Sequence, residues 1–154
     1  MKINRIGLSV ILIFALITNA CKKQETGYEL YQKEQKKLKE YLEANNITVQ
    51  PDENGLYYIE TLAGTGEASS YGQTVTVDYV GKFLDGTEFD SGTMEFVVGY
   101  SSVIQGFQIG VSKMKDGGKA TLIIPSSLAY GAYGSGDIGP YTTLIFDIEV
   151  TNVQ

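Results

Sequence analysis

The sequence predicts an α+β fold, in which an antiparallel sheet of five to six strands packs against one short helix and an N-terminal helical arm precedes both. Three observations predict it. Apolar and polar residues alternate in several segments after Gly55, one segment among them has helical spacing, and residues 25–46 contain no Gly or Pro after Gly27. With 154 residues, 43% of them apolar and 19% charged, the chain can form one core and is too apolar to be disordered.

Residues 1–20 are expected to be a signal peptide. Lys2 and Arg5 form a short basic region, and a largely apolar run of twelve follows at residues 6–17. This run is too short for a bilayer, which needs about 20 apolar residues, and it is typical of the apolar part of a signal peptide. The small residues that lead to Cys21, the sole cysteine, resemble a bacterial lipobox.

Cys21 is therefore the expected lipidation site, and its acyl chains would anchor the protein to a membrane of the cell envelope. Lys22, directly after it, favours the outer membrane, by analogy with lipoproteins that lack an aspartate at this position. The sequence leaves open whether the protein faces the periplasm or the cell surface. A secreted protein with a free thiol at Cys21 is the alternative.

Residues 21–50 are expected to form the helical arm and a linker, and residues 51–154 the folded domain. Apolar side chains recur along the arm at Tyr28, Tyr31, Leu38 and Leu42, and they predict one amphipathic face. The arm could pack this face on its own domain, be a solvated spacer, or pair with a second copy to give a homodimer through residues 25–46.

Five segments are predicted to be strands because they alternate apolar and polar residues or are rich in β-forming residues. They are residues 56–62, 74–83, 94–98, 119–125 and 143–153. Asp85-Gly86 predicts a tight turn between Phe83 and Phe89.

A short helix is predicted between the third and fourth strands. Ser102, followed three residues later by Gln105, has the pattern of a capping box. After it Phe107, Val111 and Met114 fall on one face together with Ile104, and residues 115–118 end the helix.

The composition excludes several kinds of chemistry. The chain has no histidine and one cysteine, so one copy cannot assemble a zinc or haem site, a catalytic triad or a disulfide framework. We expect no cofactor and no metal. The net charge of −6 argues against a nucleic-acid partner.

Residues 134–139 match the letters of a dinucleotide-binding loop, but Pro140 and a strand follow where a helix is required.

Five separated motifs carry the functional information. They are Val77-Asp78-Tyr79-Val80-Gly81, Gly86-Thr87-Glu88-Phe89-Asp90-Ser91, Val103-Ile104-Gln105-Gly106-Phe107, Leu128-Ala129-Tyr130-Gly131 and Leu144-Ile145-Phe146-Asp147. In this order and at these intervals they resemble the FKBP-type peptidyl-prolyl cis-trans isomerases, over residues 55–154. The resemblance implies a sheet wrapped around the short helix, an isomerase domain at residues 51–154, and assistance to the folding of exported proteins through proline-containing polypeptide substrates.

The same resemblance implies a hydrophobic proline pocket, in which Phe107 is the floor. The Ile104 N–H would bond the peptide carbonyl after the proline, Asp90 would lie beside the twisting amide, and the Tyr130 hydroxyl would bond the bound backbone. The other implied pocket residues are Tyr79, Phe89, Met94, Phe96, Val103, Ile138 and Phe146.

Phe107 stands where the family often has tryptophan, and two departures from the family pattern affect this site. The segment between Asp90 and Phe96 is shorter than in the small members of the family, with Met94 in place of a pocket phenylalanine. No basic residue lies between Asp90 and Phe96 to pair with the aspartate. Asp90 is then held by Tyr79 alone or faces water, and macrolide affinity is more in question than isomerisation. Two rival functions remain: a chaperone module that binds proline-containing segments with little turnover, and a structural lipoprotein in which the pocket is vestigial and the N-terminal helix mediates assembly.

Overall fold

A computed structural model describes residues 24–100 and 103–154. The predicted signal peptide, Cys21 and Ser102 lie outside the described residues. The elements in chain order are helix α1 (Gly27–Ala44), strands β1 (Tyr57–Leu62), β2 (Thr74–Phe83) and β3 (Glu88–Val97), helix α2 (Gln105–Val111), strand β4 (Lys119–Ile124), a 3₁₀ turn (Ser126–Leu128) and strand β5 (Leu144–Val153). Within the described ranges, no helix has the length and apolar character that crossing a membrane requires.

The five strands form one antiparallel sheet in the order β1-β4-β5-β2-β3, and α2 packs on one of its faces. The predicted α+β fold is confirmed. Side chains of α2, chiefly Phe107 and Val111, meet the inward residues of β2, β4 and β5 in the main core. The approach is close, since a Cβ built at Gly110 would lie 2.2 Å from a methyl group of Leu122. Only glycine lets this face of the helix lie so near the sheet.

The predicted start of α2 is wrong. Gln105 is the first helical residue, so it cannot be the third residue of a capping box on Ser102. The N-cap is Ile104, whose apolar side chain accepts no hydrogen bond. The predicted buried face holds for Phe107 and Val111 inside the helix and for Met114 just beyond it.

Strand β3 is six residues longer at its start than the predicted strand, which began at Met94. Among the described strands it lies at the edge and pairs only with β2, and most of residues 88–93 are exposed, so burial does not impose alternation on this stretch. The predicted turn is present, because the Gly86 N–H donates to the Phe83 carbonyl (3.0 Å) and Gly86 has a φ of +86°.

Helix α1 packs on the opposite face of the sheet from α2. Its Leu38, 4% exposed, forms a second cluster with Ile123 and Ile145, which are partners in the β4–β5 register. Of the three arrangements left open for the arm, the structure has the one packed on its own domain. The predicted stripe is partly wrong, because Tyr28 is 73% exposed and the face that docks contains the buried Glu34 instead.

Candidate active site

Phe107 lies at the centre of a group of aromatic rings under one end of the sheet. It is 2% exposed. Its ring meets Phe146 edge-on at 5.2 Å between centroids and Tyr79 edge-on at 6.0 Å, and Phe96 lies beside it at 5.8 Å. Edge-to-face ring pairs at these distances contribute stabilisation beyond that of the buried apolar area, and they favour particular ring orientations. Phe107 is therefore buried and held among three other aromatic rings; its role as the floor of a proline pocket stays a prediction.

Phe89 forms one wall of this group and is only half-buried. Its ring meets Phe146 at 5.6 Å and 87°. Gly81 on β2 makes the contact possible, because a Cβ there would lie 2.7 Å from the Phe89 ring and 3.0 Å from the Phe146 ring. Gly81 ends one of the five motifs but was not predicted to be a site residue; the signal was a glycine interrupting a strand that otherwise alternates.

The sheet register brings these side chains together from distant parts of the chain. Gly81 is opposite Asp90 on β3 and opposite Phe146 on β5. Tyr79 is two residues earlier on the same strand and so points to the same face. Alternation on β2 and β5, together with Phe107 on α2, thus assembles the apolar group that the dispersed motifs implied.

A polar pair borders the apolar group. The Tyr79 hydroxyl donates a hydrogen bond to Oδ2 of Asp90 at 2.8 Å. Burial raises the pKa of Tyr79, and the bond to the Asp90 carboxylate and the neighbouring Tyr130 raise that pKa further. Asp90 is itself exposed, and in the described part of the chain no Lys or Arg forms an ion pair with it. Both expectations left open for Asp90, a bond to Tyr79 and contact with water, therefore apply.

Ile104 presents its backbone at the start of α2. Its carbonyl accepts from the N–H groups of Phe107 (3.1 Å) and Gln108 (3.2 Å). Across residues 24–100 and 103–154, no acceptor bonds the Ile104 N–H. Gln108, which sequence reasoning missed, binds the Val103 carbonyl through Nε2 (3.0 Å) and the Gly99 N–H through Oε1 (3.0 Å).

The long connection before β5 supplies Tyr130 and Ile138, and strand β3 supplies Met94 and Phe96. Tyr130 is 37% exposed and near enough to Tyr79 to affect its pKa, whereas Ile138 is 9% exposed and belongs to the main core. Met94 is half-buried against the same core, and Phe96 is 6% exposed beside Phe107. The burial of Phe96 gives it contact with the floor rather than with the open side of the group.

A separate groove of about 530 Å³ lies between α1 and the end of the sheet. Its lining includes Tyr41, Leu84 and Tyr141, and it shares only Phe83 with the aromatic group. This groove does not contain the predicted site.

Comparison with known proteins agrees with this geometry. The sequence model of the family described as FKBP-type peptidyl-prolyl cis-trans isomerase matches residues 65–151. A probable FKBP-type peptidyl-prolyl cis-trans isomerase FkpA of Neisseria meningitidis serogroup B is 43% identical over 106 residues, which cover 65% of this chain and 38% of that protein. FkpA of Escherichia coli K12 is 40% identical over 125 residues, 77% of this chain and 46% of that protein.

Among solved structures, the chain resembles a peptidyl-prolyl cis-trans isomerase of Pseudomonas syringae pv. tomato with a TM-score of 0.73 and 32% identity. The match covers 84% of this chain and 97% of that one. The chain spans less than half the length of the two FkpA relatives that it matches in sequence.

Proposed function

The chain belongs to the FKBP-type peptidyl-prolyl cis-trans isomerase family, and from that membership we propose that it catalyses rotation about X-Pro bonds in polypeptides, with no cofactor. The observation that carries the proposal is the group of aromatic rings around Phe107, in which Phe89 is only half-buried, together with the Ile104 N–H, which bonds no acceptor among the described residues. A prolyl ring needs such an apolar surface, and the amide next to it needs few polar partners.

The mechanism follows from the amide itself. A planar amide is stabilised by resonance, which separates charge between oxygen and nitrogen, and rotation through its twisted form costs about 18–20 kcal/mol. The twisted form has lost this resonance and is less polar at oxygen. An apolar pocket therefore disfavours the planar ground state more than the transition state, and this difference accelerates rotation. No proton transfer is required, which is compatible with a chain that has no histidine.

We assign roles on this basis. Phe107 supports the prolyl ring from below, with Tyr79, Phe89 and Phe146 around it and Met94, Phe96, Val103 and Ile138 completing the apolar surroundings. The Ile104 N–H holds the carbonyl after the proline, and the Tyr130 hydroxyl bonds the bound backbone. Asp90, oriented by Tyr79, lies beside the amide as a polar accessory.

Asp90→Asn is expected to lower kcat/KM by about threefold to fivefold, equivalent to ~0.6–1 kcal/mol. The effect is small because the amide side chain still accepts a hydrogen bond from Tyr79, and because the apolar wall is unchanged. Tyr79→Phe is the matched control for the bond itself. Complete loss of activity in Asp90→Asn, with the fold intact, would replace this mechanism with an electrostatic one.

A protease-coupled assay with a short Leu-Pro or Phe-Pro peptide tests the proposed activity against the binding-module alternative. An isomerase shortens the slow phase of cleavage when present in far smaller amount than the peptide. A module that only binds proline-containing segments leaves that phase unchanged at the same amount.

We also propose that the protein is a lipoprotein of the cell envelope, anchored through Cys21 in the outer membrane. The signal-like residues 1–20 and the lipobox-like approach to Cys21 support this location. Metabolic labelling with a fatty-acid analogue should label the wild-type protein and not a Cys21→Ser variant, and the label should fractionate with outer membranes. An unlabelled wild-type protein would overturn the proposal.

Homodimer formation through residues 25–46 is proposed as well. Tyr28 and Tyr31 are 73% and 43% exposed on α1, so a second copy could cover them. Measurement of mass in solution should give a dimer for the wild-type protein and a monomer for a Tyr28→Ser/Tyr31→Ser variant, which leaves Leu38 packed on the sheet. A monomeric wild-type protein would contradict the proposal.

A further inference from the structure

Glu34 is a buried carboxylate on the docked face of α1. It is 3% exposed. Its Oε1 accepts from the Ser126 N–H (2.7 Å) and the Thr143 hydroxyl (2.8 Å), and its Oε2 accepts from the Ser126 hydroxyl (2.7 Å). These bonds join residues 92 and 109 positions apart in the sequence.

A carboxylate at this position needs a specific explanation. Burying a charge is costly unless hydrogen bonds satisfy it, whereas an apolar residue would dock the helix without that cost. Leu38, one turn further along, already packs against the sheet in this apolar manner. Glu34 thus contributes something that docking alone does not require, and its three donors show where it acts.

The donors lie at the two ends of one connection. Ser126 begins the 3₁₀ turn after β4, and Thr143 directly precedes β5. Between them runs the segment 127–142, which we call the site loop and which carries Tyr130 and Ile138. One carboxylate therefore fastens both ends of the loop to a helix outside the sheet.

Ser126 transmits this restraint toward Tyr130. Its carbonyl accepts from the N–H groups of Ala129 and Gly131, both at 2.9 Å, which are the residues on either side of Tyr130. Glu34 fixes the same residue through its N–H and its hydroxyl. The position of Tyr130 is thus two hydrogen bonds away from Glu34.

A second contact joins the helix to the far end of the loop. The N–H of Tyr141 donates to the Gly131 carbonyl at 2.8 Å. The Tyr141 hydroxyl lies close to Gly27, the first residue of α1, because a Cβ added at Gly27 would be only 2.7 Å from the hydroxyl oxygen. The helix therefore borders the loop at its start as well as at Glu34.

We propose that Glu34 is a positioning residue for substrate binding, through which α1 holds the site loop and its Tyr130 in place. The inference rests on the proposed isomerase function. The aromatic floor and wall come from α2 and the sheet, so loss of Glu34 weakens the hold on the substrate backbone and leaves the rotation step alone.

The test compares variants of the full chain in the peptide isomerase assay. Glu34→Ala should raise KM about threefold to tenfold, as expected for disordering one hydrogen-bonding group, with kcat within about twofold. Glu34→Gln should restore the wild-type KM, because its carbonyl oxygen still accepts and its amide can donate to the Ser126 hydroxyl. Leu38→Ala is the matched control, since it loosens the same helix without removing a loop bond.

A KM unchanged in Glu34→Ala, or raised equally in Leu38→Ala, overturns the inference. If Glu34→Ala does not fold, Thr143→Val removes one of the three bonds and should raise KM by a smaller factor, about twofold. An unchanged KM in Thr143→Val would also overturn the inference.

Hydrogen exchange without substrate separates this inference from the proposed function. Glu34→Ala should speed exchange of the Ala129 and Gly131 amides, and Leu38→Ala should not. If the wild-type chain fails to accelerate isomerisation, the proposed function is wrong, and the exchange rates of these two amides still decide whether Glu34 positions the loop.

Discussion

Replacing Phe89 with alanine is expected to lower kcat/KM for a Phe-Pro peptide by about one to two orders of magnitude, equivalent to ~1.4–2.7 kcal/mol of transition-state stabilisation. The Phe89 ring is half-buried and packs edge-on against Phe146 at 5.6 Å. Without the ring, water reaches the bound amide and stabilises its planar, more polar form. The measurement is the peptide isomerase assay at several substrate concentrations.

The fold should survive this change, because Phe89 is half-buried on an edge strand. Tyr57→Ala is a suitable control: Tyr57 is also a half-buried aromatic residue on a strand, but it packs in the α1 cluster on the other face of the sheet. The control should keep its turnover. If Phe89→Ala turns over as fast as the wild-type protein, the proline pocket lies elsewhere.

Phe107→Ala should instead show its main effect on stability, with a loss of about 3–5 kcal/mol in the free energy of unfolding. Phe107 is 2% exposed and its ring contacts Tyr79, Phe96 and Phe146, so truncation leaves a cavity among rings that hold one another in place. Urea unfolding followed by circular dichroism measures this change.

Two further substitutions serve as controls for the stability loss in Phe107→Ala. Phe107→Leu retains most of the apolar volume and should cost less than Phe107→Ala. Tyr133→Ala removes an aromatic side chain that is 96% exposed and should change stability by less than about 0.5 kcal/mol. A loss below about 1 kcal/mol for Phe107→Ala would show that the ring is not the central support of the site.

The sequence predicts those strands in which buried and exposed side chains alternate regularly. The residues of β2 were predicted to the residue and β5 within one, because each is a long strand with one face in the core. β3 was predicted too short, because its first half is an exposed edge that no burial pattern marks. The docked face of α1 was partly misassigned, since a pattern of apolar residues does not indicate that a glutamate is buried.

The candidate site divides in the same way. Its aromatic members could be named from the family resemblance, and the sheet register then brings Tyr79, Phe89 and Phe146 together. Residues that act by close approach or by distant hydrogen bonds could not be found. Gly81 matters because of two rings on other strands, and Glu34 because of donors far along the chain.

Exchange between the cis and trans forms of a Phe-Pro peptide, measured at equilibrium by NMR, tests most directly whether this apolar group catalyses X-Pro rotation. The chain from Lys22 onward is used in far smaller amount than the peptide. It is predicted to accelerate cis–trans exchange of the bound peptide by about 10³ to 10⁴-fold over the free peptide, which corresponds to roughly 4–6 kcal/mol of transition-state stabilisation. An exchange rate within about twofold of that of the peptide alone, against an uncatalysed time of tens to hundreds of seconds, would contradict the account.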